Sequence, residues 1–274
     1  MKTANINGVE LEYQIIGSGQ PLLLISPVLA DGFVPLVAER VLAERCQLIV
    51  YHKRGWVGST RTPGPVTVAE HAADASALLD HLGIARAHIA GHSSGAAVAL
   101  QLALDHPEKV HSLLLLEPSL LTVPSAQAFF AKAGPAFDAF ASGQREKALE
   151  IFMTAASGLS WERCRALLEQ RVPGSVAQSV ADADTFFGVE LPALSQWTFT
   201  AEQAARIRQP TLSILGTETE PLWVEVDSLL RSAMPNIASS SIQGVGHLLH
   251  IQDPQPVAQA LATFIDLNPM QAAS

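Results

Sequence analysis

Hydrophobic and polar positions alternate at the start of this chain and then gather into blocks. Residues 5–16 alternate around Asn7-Gly8, the two-residue signature of a tight hairpin. Residues 21–25 (Pro-Leu-Leu-Leu-Ile) and 47–51 (Gln-Leu-Ile-Val-Tyr) are short and continuously apolar, the pattern of strands buried on both faces of a parallel sheet. Residues 35–45 and 68–82 have helical spacing. A strand ending at Gly91, a helix over 94–106 and a strand over 110–116 follow. After a long interval, 211–215 reads as a strand, 222–234 as a helix, 238–243 as a last strand and 254–267 as a last helix. Strand and helix alternate at both ends, which predicts an α/β chain: a mostly parallel sheet with helices on both faces.

The interval 119–208 breaks that rhythm. It holds only helical patterns, over 125–141, 145–156, 161–171, 176–186 and 201–207. The expected division is therefore a core from 1–118 and 209–274 and an inserted helical cap from 119–208. Eight of the ten phenylalanines lie in the cap (Phe129, Phe130, Phe137, Phe140, Phe152, Phe186, Phe187 and Phe199), with Trp161 and Trp197. Most of these rings serve the cap's own core. A cap of this size cannot bury them all internally, so some line a cleft, which favours an apolar or aromatic substrate. Trp197, Phe186 and Phe187 are the expected substrate contacts, with His92 beside them.

Composition narrows the classes. Of 274 residues 48% are apolar and 16% charged, enough for a large core and against disorder. A net charge of −9 disfavours nucleic acid and anionic membrane as partners. Cys46 and Cys164 lie far apart without metal-ligand spacing and read as two reduced thiols. No apolar run approaches the length of a membrane span, and Met1 leads into no apolar stretch. The expectation is a cytoplasmic protein acting on a small molecule, with homodimerisation through apolar cap surface left open.

The chemistry centres on Gly91-His92-Ser93-Ser94-Gly95, a G-x-S-x-G sequence between strand and helix. Five letters match easily by chance in a chain rich in small residues. In this setting, however, the motif places a serine nucleophile on a strained turn. Ser93 would project from the tip, and the Ser94 N–H would sit at a helix N-terminus, where developing negative charge is favoured. A serine needs a base, and the base an orienting acid. His247, in Gln243-Gly244-Val245-Gly246-His247 after the last strand, reaches the same sheet edge and is the expected base, with His250 as runner-up. His71, His81, His88, His106 and His111 read as solvated or structural. For the acid, Glu117 closes the apolar strand Leu113-Leu114-Leu115-Leu116 at that edge. Glu218 and Glu220, in Gly216-Thr217-Glu218-Thr219-Glu220-Pro221, remain alternatives. After the strand at 21–25, Ser26-Pro27-Val28 offers Val28 as the second oxyanion donor, since Pro27 has no N–H. Asp182 and Asp184 read as solvated helix positions rather than an amine-binding cluster.

With these residues in place the chain resembles the α/β-hydrolase superfamily over essentially its whole length. The elbow at Ser93, the loop Lys53-Arg54-Gly55-Trp56-Val57-Gly58-Ser59, the cap insertion and Gly246-His247 fall in that family's order. It departs in two places. Ser26-Pro27 replaces the usual His-Gly pair, and the loop after the 211–215 strand carries no aspartate. The Ser-Ser-Gly elbow and the strand-terminal Glu-Pro are similar to the lactonases that open the macrolide zearalenone, whose triad is Ser–His–Glu. The resemblance implies an eight-stranded α/β-hydrolase fold and ester or lactone hydrolysis through an acyl-enzyme on Ser93, with no metal or cofactor. Carbon–carbon bond hydrolysis, acyl transfer and a non-catalytic binding role on the same scaffold are the rival readings.

Overall fold

The hairpin at Asn7-Gly8 opens the sheet. Strand β1 (Lys2–Ile6) pairs antiparallel with β2 (Val9–Ile16), Ile6 facing Val9, and Asn7 and Gly8 both take left-handed φ, 50° and 81°. The structure is a computed structural model describing residues 1–62 and 64–270. Six further strands follow: β3 (Gln20–Ile25), β4 (Cys46–Tyr51), β5 (Ala87–His92), β6 (Val110–Leu116), β7 (Thr211–Gly216) and β8 (Ile237–Ile242). They form one eight-stranded sheet in the order β1-β2-β4-β3-β5-β6-β7-β8, parallel in every pairing from β4 to β8.

The pleat accounts for the apolar blocks. Leu23, Ile25, Ile89, Leu113 and Leu115 point into a core shared with helices Val68–His81 and Ser94–Asp105. Their neighbours Leu22, Leu24, Ala90, Leu114 and Leu116 point to the other face, against helix Pro254–Leu267. The runs Leu22–Ile25 and Leu113–Leu116 are therefore apolar at every position. Strand order reverses on either side of β3, between β4 and β5. In open α/β sheets ligands bind outside the strand ends at such a reversal. The segments leaving β3 and β5 there carry Val28 and Ser93.

Every element between β6 and β7 is helical, and several are shorter than their patterns suggest. The 125–141 pattern divides into Ala126–Ala133 and Pro135–Ala141, because Pro135 has no N–H to continue the first helix. The 35–45 pattern likewise becomes Val34–Val37 and Arg40–Ala43. Where 176–186 reads as one helix, the chain forms Ser175–Ala181 and Ala183–Thr185, then a π-helical turn, Phe186–Glu190, leading into Leu191–Gln196. The loop after β4 docks this region. Arg61 pairs with Asp182 and donates to Thr185 Oγ1 at 2.7 Å, and Thr185 donates to the Gly55 carbonyl at 2.8 Å. Asp182 is thus fully buried and ion-paired, not solvated; Asp184 is exposed and pairs with Arg145. Both cysteines are free and buried, and burial pushes each thiol up to about 11. No helix among the described residues is long and apolar enough to cross a membrane.

Candidate active site

Ser93 sits where β5 turns into helix Ser94–Asp105, at φ 55° and ψ −120°, a conformation costly for a residue with a side chain. The flanking glycines permit it. A Cβ on Gly91 would lie 2.5 Å from the Gly95 carbonyl oxygen, and one on Gly95 would run into the Ile25 carbonyl. The strain is held by packing and by the Ser93 N–H, which donates to Leu116 O at 3.0 Å.

His247 Nε2 lies 3.1 Å from Ser93 Oγ, and His247 Nδ1 lies 2.7 Å from Glu117 Oε2. Glu117, just past β6, has φ 43°. Its Oε1 accepts from the Gly216 N–H at 2.8 Å, and its Oε2 accepts from Thr219 Oγ1 at 2.8 Å. The other two carboxylates do not reach His247. Glu220 pairs with Lys132 ahead of helix Pro221–Ala233, and Glu218 is exposed. Two supports hold the imidazole. Trp223 stacks on it, ring centroids 3.7 Å apart and planes 4° from parallel, and His92 Nε2–H donates to the His247 carbonyl at 2.8 Å. Ser93, His247 and Glu117 are all buried, Ser93 the most open at 9%.

Burial sets the protonation states. It pulls His247 down to about 3, so the ring is neutral and its Nε2 can accept a hydrogen bond from the Ser93 hydroxyl. It pushes Glu117 up to about 7, against the Gly216 and Thr219 hydrogen bonds, which favour the carboxylate.

His71, His92 and His250 are also held far below the usual imidazole range by burial, and His88 falls to about 4. His88 lies within β5 and is fully buried, bonded to Ser112 Oγ at 2.7 Å. A histidine depressed in the fold contributes stability above its unfolded value of about 6.5 and loses it as pH falls toward the folded value, about 1.4 kcal/mol per pH unit for each group. His52, raised by Asp31 and Glu12, acts in the opposite sense, as does Glu117. The five depressed histidines outnumber these two. The melting temperature should therefore fall steeply between pH 6.5 and 4; scans at pH 7, 6 and 5 that superimpose would contradict this.

Val28 and Ser94 border the same cavity as Ser93 and His247, and neither backbone N–H has an acceptor among the described residues. This is the arrangement of an oxyanion site. Apart from Ser119, the rest of the lining is apolar: Leu121, Phe129, Phe152, Ala156, Leu191, Leu194 and Trp223. A second small cavity at Ser93 touches Pro27, Leu29, His92 and Met153. A cleft of about 690 Å³ between helix Trp161–Arg171 and residues 243–245 does not include Ser93.

Three expected substrate contacts do not line the two cavities at Ser93. Phe186 and Phe187 are buried in a ring cluster of the insert, with Phe186 4.7 Å from Phe152 and Phe187 5.1 Å from Phe140. Trp197 stacks on Phe199 and donates to Gln101 Oε1 at 2.7 Å, fastening the insert to the helix that follows Ser93. Their neighbours Phe129 and Phe152 supply the aromatic lining instead. His92 borders the second cavity, but its Nε2–H is committed to the His247 loop. His250 is fully buried between His92 and Phe33 and touches neither cavity.

Ser119 escapes the sequence reading, having no motif of its own. Its N–H donates to Ser93 O at 3.1 Å, and its hydroxyl lies 3.0 Å from Ser93 Oγ. When Ser93 donates to His247, Ser119 is the donor back to Ser93. Ser119→Ala should lower kcat about tenfold with little change in KM, as expected when one neutral hydrogen bond to the reacting oxygen is lost. Unchanged steady-state kinetics would remove Ser119 from the site.

Several known proteins are similar to this chain. "Putative carbamate hydrolase RutD" of Azorhizobium caulinodans is 35% identical over 116 residues, 42% of this chain and 44% of that protein. This chain thus spans less than half of that relative. The protein of the same name from Caulobacter segnis is 24% identical over 277 residues, 97% of this chain and 99% of its own. Among solved structures, Est816, described as "an N-Acyl homoserine lactone degrading enzyme", is 25% identical at a TM-score of 0.71, covering 96% of this chain and 100% of its own. Residues 29–254 match the profile of the alpha/beta hydrolase fold. With the eight-stranded sheet and the sharp Gly91–Gly95 turn after β5, that match makes this chain a member of the alpha/beta hydrolase family.

Proposed function

We propose that the protein is a serine hydrolase that cleaves carboxylic esters or lactones with an apolar or aromatic acyl part. The hydrogen-bonded chain from Ser93 through His247 to Glu117, beneath two unpartnered N–H groups, carries this reading. Ser93 Oγ attacks the carbonyl carbon as His247 Nε2 takes its proton. The carbonyl oxygen becomes an oxyanion between the Val28 and Ser94 N–H groups. His247 then returns the proton to the leaving alcohol, and water repeats the sequence on the acyl-enzyme. In a lactone the leaving alcohol stays tethered and the ring opens. The relatives' names, a carbamate hydrolase and a lactone-degrading enzyme, both belong to chemistry at an acyl carbonyl.

The lining argues for the substrate's apolar character. The two cavities at Ser93 are about 20 Å³ each, room for a single water, whereas ligand sites hold about 300–1,000 Å³. The helices of residues 119–208 act as a cap that must move to admit substrate. The deciding experiment is hydrolysis of a panel: p-nitrophenyl acetate through octanoate, a small lactone, an N-acyl homoserine lactone, an aromatic macrolactone and an aryl carbamate. Turnover should favour the longer acyl chains and leave a mass adduct on Ser93 when quenched early. Turnover confined to carbon–carbon cleavage of diketones, or ligand binding without turnover, would overturn the reading.

A further inference from the structure

Ser94 is held by its side chain as well as by its helix. Its hydroxyl donates to Oε1 of Glu190 at 2.5 Å. The same carboxylate accepts from Lys53 Nζ at 2.7 and 2.8 Å and from the Trp56 indole N–H at 2.9 Å. All four residues are at most 3% exposed, and burial pulls the Lys53 amine down while Glu190 opposes it. Stability does not explain an ion pair this deep. Withdrawing two charges from water costs about what their attraction returns, and apolar pairs of similar volume often do as well.

The placement suggests another role. The three donors belong to the core: Lys53 and Trp56 lie in the loop after β4, and Ser94 lies in the first turn behind the nucleophile. The acceptor belongs to the inserted helices, on the π turn Phe186–Glu190. Such turns cost stability and concentrate at functional sites. The inserted residue shifts the helix face by about 100°, and here Glu190 comes to lie inside. Arg61, Asp182 and Thr185 dock the same region one to two turns earlier.

We infer that Glu190 is a positioning residue: by holding the Ser94 hydroxyl against Lys53 and Trp56, it fixes the aim of the Ser94 N–H, so the oxyanion site is complete only when the inserted helices are seated on the core. This rests on the oxyanion role proposed for Ser94. A donor rotated by a fraction of an ångström stabilises the tetrahedral state less while leaving ground-state binding intact.

Two variants test it. Ser94→Ala keeps the N–H and the ion pair but removes the tether. The double variant Lys53→Met/Glu190→Leu removes the tether and both charges together. The readouts are kcat and KM on a p-nitrophenyl ester, the melting temperature, and the rate at which diethyl p-nitrophenyl phosphate labels Ser93. In that labelling Ser93 Oγ forms the new P–O bond, its proton passes to His247 and p-nitrophenolate leaves. It probes the oxyanion site without requiring the right ester. Both variants should lose about tenfold or more in kcat and labelling rate, part of the 10²–10³ that one donor is worth, with KM within about threefold. The double variant should keep its cooperative melt; if it does not fold, Ser94→Ala decides alone. Wild-type rates in either folded variant, or a raised KM with kcat held, would overturn the role of Glu190. Labelling that survives Ser93→Ala would instead overturn Ser93 as nucleophile, and a wild-type protein that takes no label sinks both.

Discussion

Ser93→Ala is expected to lower ester turnover by about 10⁵–10⁶, the loss seen when a serine nucleophile that works as a unit with its base is removed. Without Oγ no acyl-enzyme can form, and the residual rate comes from binding and the oxyanion site acting on water. The same logic predicts that His247→Ala costs nearly as much and that the double variant is no worse than either single change, because Ser93 and His247 form one hydrogen-bonded unit. Stability should hardly respond. Alanine meets the same backbone strain at φ 55° as serine does, and the packing around Gly91 and Gly95 is untouched. The fold survives, so the inactive variant should still bind substrate, which equilibrium binding to an unhydrolysed lactone would show. Residual turnover within a hundredfold of wild type would remove Ser93 from the nucleophile's place.

The parts of this site legible in the chain are those whose chemistry is local. A serine between two glycines after an apolar strand has few geometries open to it, and the sheet edge collects whatever ends a strand. Glu117 is readable for that reason: a carboxylate closing Leu113-Leu114-Leu115-Leu116 has to lie at the edge and has to find donors, and Gly216, Thr219 and His247 supply them. The fold class follows from the same apolar blocks, because burial on both faces leaves no polar alternation. Illegible features depend on distant chain segments. Trp223 stacks on His247 from a helix whose sequence marks only an apolar face, and Ser119 is significant only because β6 ends beside β5. The aromatic content of 119–208 implies an apolar cavity but not which rings face it; Phe152 and Phe129 do, while Phe186 and Phe187 turn into the insert. The π turn that buries Glu190 has its reason 137 positions away, at Lys53.

Glu117→Gln should separate activity from stability. In the native site Glu117 accepts from three donors, and His247 Nδ1–H is one of them. A glutamine can keep Oε1 toward the Gly216 N–H, but its amide nitrogen then faces His247. The ring answers by moving its proton to Nε2, which leaves no lone pair for Ser93. Holding the imidazole in the wrong tautomer should lower kcat by about 10⁴. The pH profile carries the same signature. The wild-type acid limb of kcat/KM should lie near 7, where burial has pushed Glu117, and belongs to the Glu117–His247 pair rather than to either residue. Glutamine leaves only His247 to titrate, so that limb moves well below 7. Stability moves the other way. A carboxyl raised from 4.5 to about 7 binds its proton more tightly folded than unfolded, so its contribution is fully present below 4.5 and lost as pH rises through 7. The loss is on the order of 3 kcal/mol at pH 8, from about 1.4 kcal/mol per pH unit. Glutamine does not ionise and escapes it. The variant should therefore melt several degrees above wild type at pH 8 and near it at pH 5, at about 2–4 °C per kcal/mol for a chain of this size. A variant that is inactive and also less stable at pH 8 would mean that the ionised carboxylate holds the fold together, and the cost assigned to burying Glu117 would have to be withdrawn. An inactive but more stable protein would show that this buried charge is kept for its chemistry, at the expense of the fold.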